Sequence, residues 1–365
     1  MTSVLFVTCD AGGNVPPVLA VAAELRSRGA DVRVMGHPGQ AEAVVAAGLP
    51  FVPLASARAF RGADKNSPFA WVGMFGDRAM GRDVVRELAV RPADLVAVDC
   101  MAFGVIEAVC EQGTPYVLME HSFHEYWTRM WLRGPMGIGL RLKRIRTQRL
   151  LDAARARVVL ALPELDPAAT LAPNVVHAGP IAVGTPARPV EPTVLVSLST
   201  IHFPGMRQTL QRSLDALASL PVRGIVTTGP VIDPADLRVP SNVEVHRFVP
   251  HAELMPKVSV VIGHGGHATT MTALAHDIPL VVLPLHPLLD QKMVGTAVES
   301  AGAARVLTRK AKPSEISAAV SSLLADGPHR AAAAGLGARI RAASGAQRAA
   351  DLLESVVATG ESVAR

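Results

Sequence analysis

An α/β protein built on two doubly wound parallel sheets is predicted by three observations. Short β-branched runs alternate with helical patterns along the chain. The alternation breaks at a proline-dense stretch, residues 179–192, and then starts again. A glycine-rich turn, Gly263-His264-Gly265-Gly266-His267, joins a strand to a helix in the second half. Such a turn gathers free backbone N–H groups and the positive end of a helix at one point, which suits a phosphate or pyrophosphate.

The first strand is read at 4–8, followed by the loop Cys9-Asp10-Ala11-Gly12-Gly13-Asn14 and a helix at 18–28 closed by Gly29. A strand at 31–36 and a helix at 40–47 come next. Residues 53–82 read as loop material because Gly73, Gly76 and Gly81 interrupt any period. Beyond them lie a helix at 84–89, a buried strand at 95–98 ending on Asp99, a helix at 104–112 and a strand at 116–119. The last strand of this half is expected at 158–162. After the proline-dense segment, strands at 194–198, 223–228, 243–245, 258–262 and 280–283 alternate with helices at 208–220, 252–255 and 268–276. A final helix spans about 346–357. The expected divisions are 1–183, a linker at 184–192, a second domain at 193–345 and a tail at 346–365.

Composition narrows the classes. The chain has 365 residues, 49% hydrophobic and 18% charged, enough for two sizeable cores. No uninterrupted apolar run approaches the roughly 18 residues of a membrane span. The first residues enter a strand pattern without a charged region and cleavage site, so a cytoplasmic protein is expected. Cys9, Cys100 and Cys110 lack zinc spacing and read as buried free thiols. The net charge of +5 is concentrated in Arg129, Arg133, Arg141, Lys143, Arg144, Arg146 and Arg149, interleaved with apolar residues. A solvated basic helix face with an apolar side in the core is the favoured reading; a lid, or contact with a membrane or carrier protein, stays open. No nucleic-acid-binding signature accompanies it.

The segment His264-Gly265-Gly266-His267-Ala268-Thr269, followed by Pro284 and Asp290-Gln291, resembles the signature of the GT-B nucleotide-sugar glycosyltransferases that decorate bacterial natural products. The resemblance runs through nearly the whole chain. It implies two Rossmann-like domains facing a cleft, with the tail crossing back to the first domain. It also implies a donor site in the second domain. Ser199, Thr200, Thr228, Gly229 and the amides around His264, Gly265, Gly266, Ala268 and Thr269 would hold the diphosphate, with Gly13 approaching from the first loop. Phe248 and Val249 would receive a pyrimidine, making dTDP- or UDP-sugar the donor. Asp290 and Gln291 would meet sugar hydroxyls, and His267 either faces the ligand or caps the turn. Ala268 stands where the signature has glycine.

Many relatives carry a catalytic histidine where this chain has Asn14, paired with an acid at the position of Asp99. Asparagine cannot take a proton. The substitute bases are, in order, Asp99, His121 and Asp10; strand-end capping is the structural alternative for Asp99. Trp71, Phe75, His121, Phe123, His124 and Trp127 are expected to line a pocket for a large apolar acceptor. No Asp-x-Asp or His/Cys cluster marks a metal, so no obligatory metal or cofactor is expected. The resulting function is inverting transfer of a sugar, a deoxysugar among the candidates, to a hydrophobic aglycone. C-glycosyl transfer, nucleotide-sugar epimerisation and non-catalytic nucleotide-sugar binding are the alternatives, and a homodimer is left open.

Overall fold

A computed structural model describes residues 2–168, 170–325 and 327–361. The chain forms two compact units, one of residues 1–62, 66–181 and 344–365, the other of residues 63–65 and 182–343.

The first unit runs β1 (Ser3–Val7), α1 (Val15–Ser27), β2 (Asp31–Gly36), α2 (Ala41–Ala46), β3 (Phe51–Pro53), α3 (Pro68–Phe75), α4 (Arg78–Val90), β4 (Leu95–Asp99), α5 (Phe103–Glu111) and β5 (Tyr116–Glu120). A π-helical turn, Tyr126–Trp131, then leads to α6 (Pro135–Leu142), α7 (Thr147–Asp152), β6 (Ala156–Val159) and β7 (Val175–His177). The strands pair in parallel in the order β3-β2-β1-β4-β5-β6-β7. Strand order reverses between β1 and β4, and at such a switch point the crevice beyond the strands' carboxyl ends is the place for ligands.

The second unit runs β8 (Thr193–Ser197), α8 (Met206–Leu217), β9 (Arg223–Thr227), β10 (Val243–His246), α9 (His251–Leu254), β11 (Val260–Gly263), α10 (His267–Ala275), β12 (Leu280–Val282), α11 (Gln291–Ser300), β13 (Ala304–Val306), α12 (Pro313–Leu324) and α13 (Pro328–Ala343). Its parallel sheet has the order β10-β9-β8-β11-β12-β13, with the switch point between β8 and β11. The last helix, α14 (Gly345–Thr359), belongs to the first unit. Its Ala349, Leu353 and Val356 join Val18 and Leu25 of α1 in one buried cluster.

Residues 53–82 depart from the loop expected there. Ser67 caps α3 by accepting from the Ala70 amide (3.2 Å), and Asp77 caps α4 by accepting from Ala79 (2.9 Å). The glycines serve close packing: a Cβ on Gly81 would collide with the carbonyl oxygen of Gly104 on α5. Further corrections concern β7, which follows the strand expected to end this half, and β3, β13, α12 and α13, which the sequence pattern did not mark. The proline-rich segment lies along the second unit, with Ala187 and Arg188 amides donating to the carbonyls of His276 and Pro256. In the basic segment Leu140, Ile145, Leu150 and Leu151 are buried, while Arg133, Arg141, Arg144, Arg146 and Arg149 are exposed. Cys9 and Cys100 are buried, but Cys110 is only half-buried, and all three are free thiols. Among the described residues no helix is long and apolar enough to cross a membrane.

Candidate active site

At the switch point of the first unit, three predicted residues meet. The loop after β1 lays Asn14 against the end of β4, where its Nδ2 donates to Asp99 Oδ2 (2.6 Å) and to the Cys9 carbonyl (2.8 Å). Asp99 Oδ1 accepts from the Met101 amide (2.9 Å) and lies 3.7 Å from His121 Nε2, just beyond β5. That gap is slightly too long for a hydrogen bond, a slack common in sites without substrate. Asp99 is fully buried, whereas the His121 side chain is 12% exposed. Both Asp99 oxygens are engaged and none of the residue is accessible, so of the two His121 is the one that reaches the surface. Asp10 is set apart, its carboxylate beside Gly39 and its amide donating to His37 Nδ1 (3.3 Å).

Burial leaves polar atoms without protein partners around this centre. They are His121 Nε2, Asn14 Oδ1 and the indole Nε1 of Trp127, whose ring meets His121 edge-on at 5.0 Å. Orphaned buried groups call for a ligand or water. A row of rings extends from here: Trp127 to Trp131 (5.9 Å), Trp131 to Phe75 (5.1 Å), Phe75 to Trp71 (5.7 Å) and Trp71 to Phe60 (4.8 Å). Trp127 and Trp131 sit on the π-helical turn, a device frequent at functional sites. Trp131 ends the stretch His121 to Trp131 that the sequence marks for the acceptor, whereas sequence reasoning missed Phe60.

Two expected acceptor residues are corrected. Phe123 is completely buried, and His124 is locked in a structural network. His124 Nδ1 lies 2.8 Å from Glu120 Oε2, and its amide donates to Asp166 Oδ2 (2.6 Å). Burial pushes the Glu120 carboxyl up, but the Arg157 guanidinium and His124 outweigh it and hold it below the usual carboxylate range.

In the second unit the glycine turn follows β11 at the switch point with β8. Gly265 has φ +85°, and a Cβ there would collide with the Gln291 carbonyl oxygen. A Cβ on Gly266 would come within 2.6 Å of His264 Nε2, so the bare backbone admits the imidazole over the turn. Burial lowers the His264 pKa to about 4, and its Nδ1 has no protein partner. The ring is therefore a neutral donor at pH 7. The first backbone bond entering α10 runs from Thr270 N to Gly266 O (3.0 Å), so the amides of Ala268 and Thr269 lie ahead of it at the helix N-terminus. His267 is buried at the first position of that helix.

The other predicted residues surround the same strand ends. Ser199 is buried, its Oγ accepting from Ile201 N (3.0 Å), and Thr200 is exposed. Thr228 is buried beside Gly229, whose φ is +65°. Phe248 is 78% exposed with Val249 next to it. Asp290 precedes α11. Gln291 is buried, and its Oε1 accepts from the Leu285 (2.7 Å) and His286 (3.1 Å) amides, so its carbonyl holds the loop and only its NH2 can serve a sugar. Unforeseen was a relay of Thr227 Oγ1 to Ser197 Oγ (2.8 Å) and Ser197 Oγ to His251 Nε2 (3.0 Å), which ties the start of α9, just after Phe248-Val249-Pro250, to the sheet. The histidine directly after that turn was its only sequence signal.

Residues 211–355 match the family described as erythromycin biosynthesis protein CIII-like, C-terminal domain. The chain is 27% identical to 4'-demethylrebeccamycin synthase of Lentzea aerocolonigenes, covering 97% of this chain and 99% of that protein. The crystal structure of the kitacinnamycin glycosyltransferase is similar at a TM-score of 0.80 and 25% identity, over 97% of this chain and 98% of that one. The glycosyltransferase VinC, solved in complex with dTDP, shares the fold at a TM-score of 0.75 and 21% identity, over 98% of this chain and 100% of that one. Residues 211–355 thus carry an EryCIII-like C-terminal domain, and over nearly its whole length the chain is similar to glycosyltransferases of natural-product biosynthesis and shares their two-domain fold.

Proposed function

We propose that the protein transfers a sugar from a dTDP- or UDP-sugar to a hydroxyl of a hydrophobic natural-product aglycone, with inversion and without an obligatory metal. The observation that carries the reading is the His121–Asp99 pair at a switch point, with Asn14, which cannot take a proton, as the other side chain on Asp99. Asp99 orients His121 with Nε2 inward, leaving Nδ1 to accept the acceptor's proton as its oxygen attacks the anomeric carbon. The bond to the diphosphate breaks with its electron pair leaving on the nucleotide. His264 and the amides opening α10 stabilise the negative charge that builds there. This neutral-donor and helix-terminus set is what supports metal independence. The dTDP complex of VinC supports the donor class, and the row of rings from Trp127 to Phe60 supports a large apolar acceptor.

The test compares His121→Ala with Asp10→Ala in folded protein. Loss of about a hundred- to ten-thousandfold in turnover is expected for His121→Ala only, with the affinity for bare dTDP unchanged in both. Near-normal turnover of His121→Ala removes this base.

A further inference from the structure

The same strand ends assemble a set of metal ligands that no spacing in the sequence announces. β4 and β5 are parallel neighbours, with Asp99 opposite Met119. Asp99-Cys100 and His121 therefore leave the sheet side by side. A carboxylate oxygen of Asp99, the Sγ of Cys100 and a ring nitrogen of His121 all lie within 4.8 Å of one another. Bonds of about 2.0–2.3 Å around tetrahedral zinc place ligand atoms about 3.3–3.6 Å apart. The 3.7 Å between His121 Nε2 and Asp99 Oδ1 is already near that value. A second observation points the same way: His121 Nε2 is buried without a hydrogen-bond partner, and so is Oδ1 of Asn14, a residue only 2% exposed.

We propose that Asp99, Cys100 and His121 bind a thiophilic divalent cation, zinc or cobalt, and that the ion inhibits rather than assists transfer. Carboxylate, thiolate and imidazole with an open fourth position form a zinc-type donor set, and the sulfur selects against magnesium and manganese. On binding, the Cys100 thiol gives its proton to solvent as the sulfur–metal bond forms. His121 donates its Nε2 lone pair, so the neutral ring carries its single proton on Nδ1. A ring protonated at Nδ1 cannot accept the proton of an acceptor hydroxyl. Metal binding stands on the geometry alone, whereas the inhibition rests on His121 being the base.

The two parts separate experimentally. Cobalt(II) is titrated into the full-length protein and the sulfur-to-cobalt charge-transfer band is followed, with displacement by zinc. The wild type gives a band that saturates at one equivalent; Cys100→Ser abolishes it, and Cys9→Ala and Cys110→Ala keep it. A band missing from the folded wild type, or one that survives Cys100→Ser and disappears in Cys9→Ala, overturns the site. In turnover assays zinc inhibits the wild type and magnesium does not. Cys100→Ala keeps its basal rate and needs at least about tenfold more zinc for the same inhibition. A saturating cobalt band together with undiminished turnover in zinc keeps the site and refutes His121 as the base.

Discussion

Replacing Asp99 by asparagine perturbs one atom of the first site, and its consequences can be worked out from the contacts. The carboxylate accepts from Asn14 Nδ2 at 2.6 Å and from Met101 N at 2.9 Å while facing His121 at 3.7 Å. In Asp99→Asn one oxygen becomes an NH2. If Oδ1 stays on Met101, the new NH2 faces the NH2 of Asn14, two donors in contact. Asn14 can answer by flipping, since its Oδ1 has no partner, but it then gives up the bond to the Cys9 carbonyl. Hydrogen bonds to a charged group contribute about 1.5–3 kcal/mol and neutral ones about 0.5–1.5, so the fold loses about 1–3 kcal/mol and stays folded. Catalysis suffers more. His121 loses the anion that fixes its ring and stabilises its protonated form, and turnover should fall about a hundred- to ten-thousandfold. Initial-rate assays with matched circular dichroism and dTDP calorimetry read this out. Near-normal rates in a folded Asp99→Asn protein with ordinary dTDP affinity would refute the orienting role.

His264→Ala removes a neutral donor aimed at the diphosphate, and calorimetry should show dTDP affinity lower by about ten- to a hundredfold; unchanged affinity takes His264 out of the site. Its folded pKa of about 4 lies below the ordinary 6.5, so the unfolded chain binds the proton first. Stability is full above about pH 6.5 and falls by up to about 3 kcal/mol from this ring as the pH drops toward 4. Thermal melts across that range should be flatter for His264→Gln than for the wild type; parallel curves contradict the assignment. Gly265→Ala adds about 1–2 kcal/mol of left-handed backbone strain to a collision with Gln291, so dTDP binding should weaken by at least about tenfold, and normal binding would show that the turn tolerates a side chain. Asn14→Ala should lower turnover less than Asp99→Asn does, and Asn14→His, which can donate to the same Asp99 oxygen, should widen the range of alcohols accepted; an Asn14→Ala loss as large as that of Asp99→Asn would make Asn14 more than a positioning group.

Both parallel sheets were legible because buried parallel strands read as β-branched runs, and the ends of β4, β5 and β11 gave Asp99, His121 and His264 as residues at strand ends. Residues 53–82 were not legible. Glycine signals a turn in sequence, yet Gly81 serves the contact between α4 and α5, information held by a residue in another element. The helix α13 was hidden by a run of alanines that carries little contrast between its buried and exposed faces. Beyond the end of β5 the alternation of faces is lost, so nothing local told that His121 borders Asp99 while His124, three residues on, is held by Glu120 and Asp166. The engagement of both Asp99 oxygens depends on Asn14 and Met101, one of them 85 residues away.

Sugar transfer is read directly by mass spectrometry of dTDP- and UDP-sugars incubated with the protein, with and without pooled apolar aglycones. The wild type should form an acceptor heavier by one dehydrated sugar and an equivalent of free nucleoside diphosphate, and His121→Ala should lose both. A donor isomerised in the absence of acceptor, or tight nucleotide binding with no product from any acceptor, would contradict transfer.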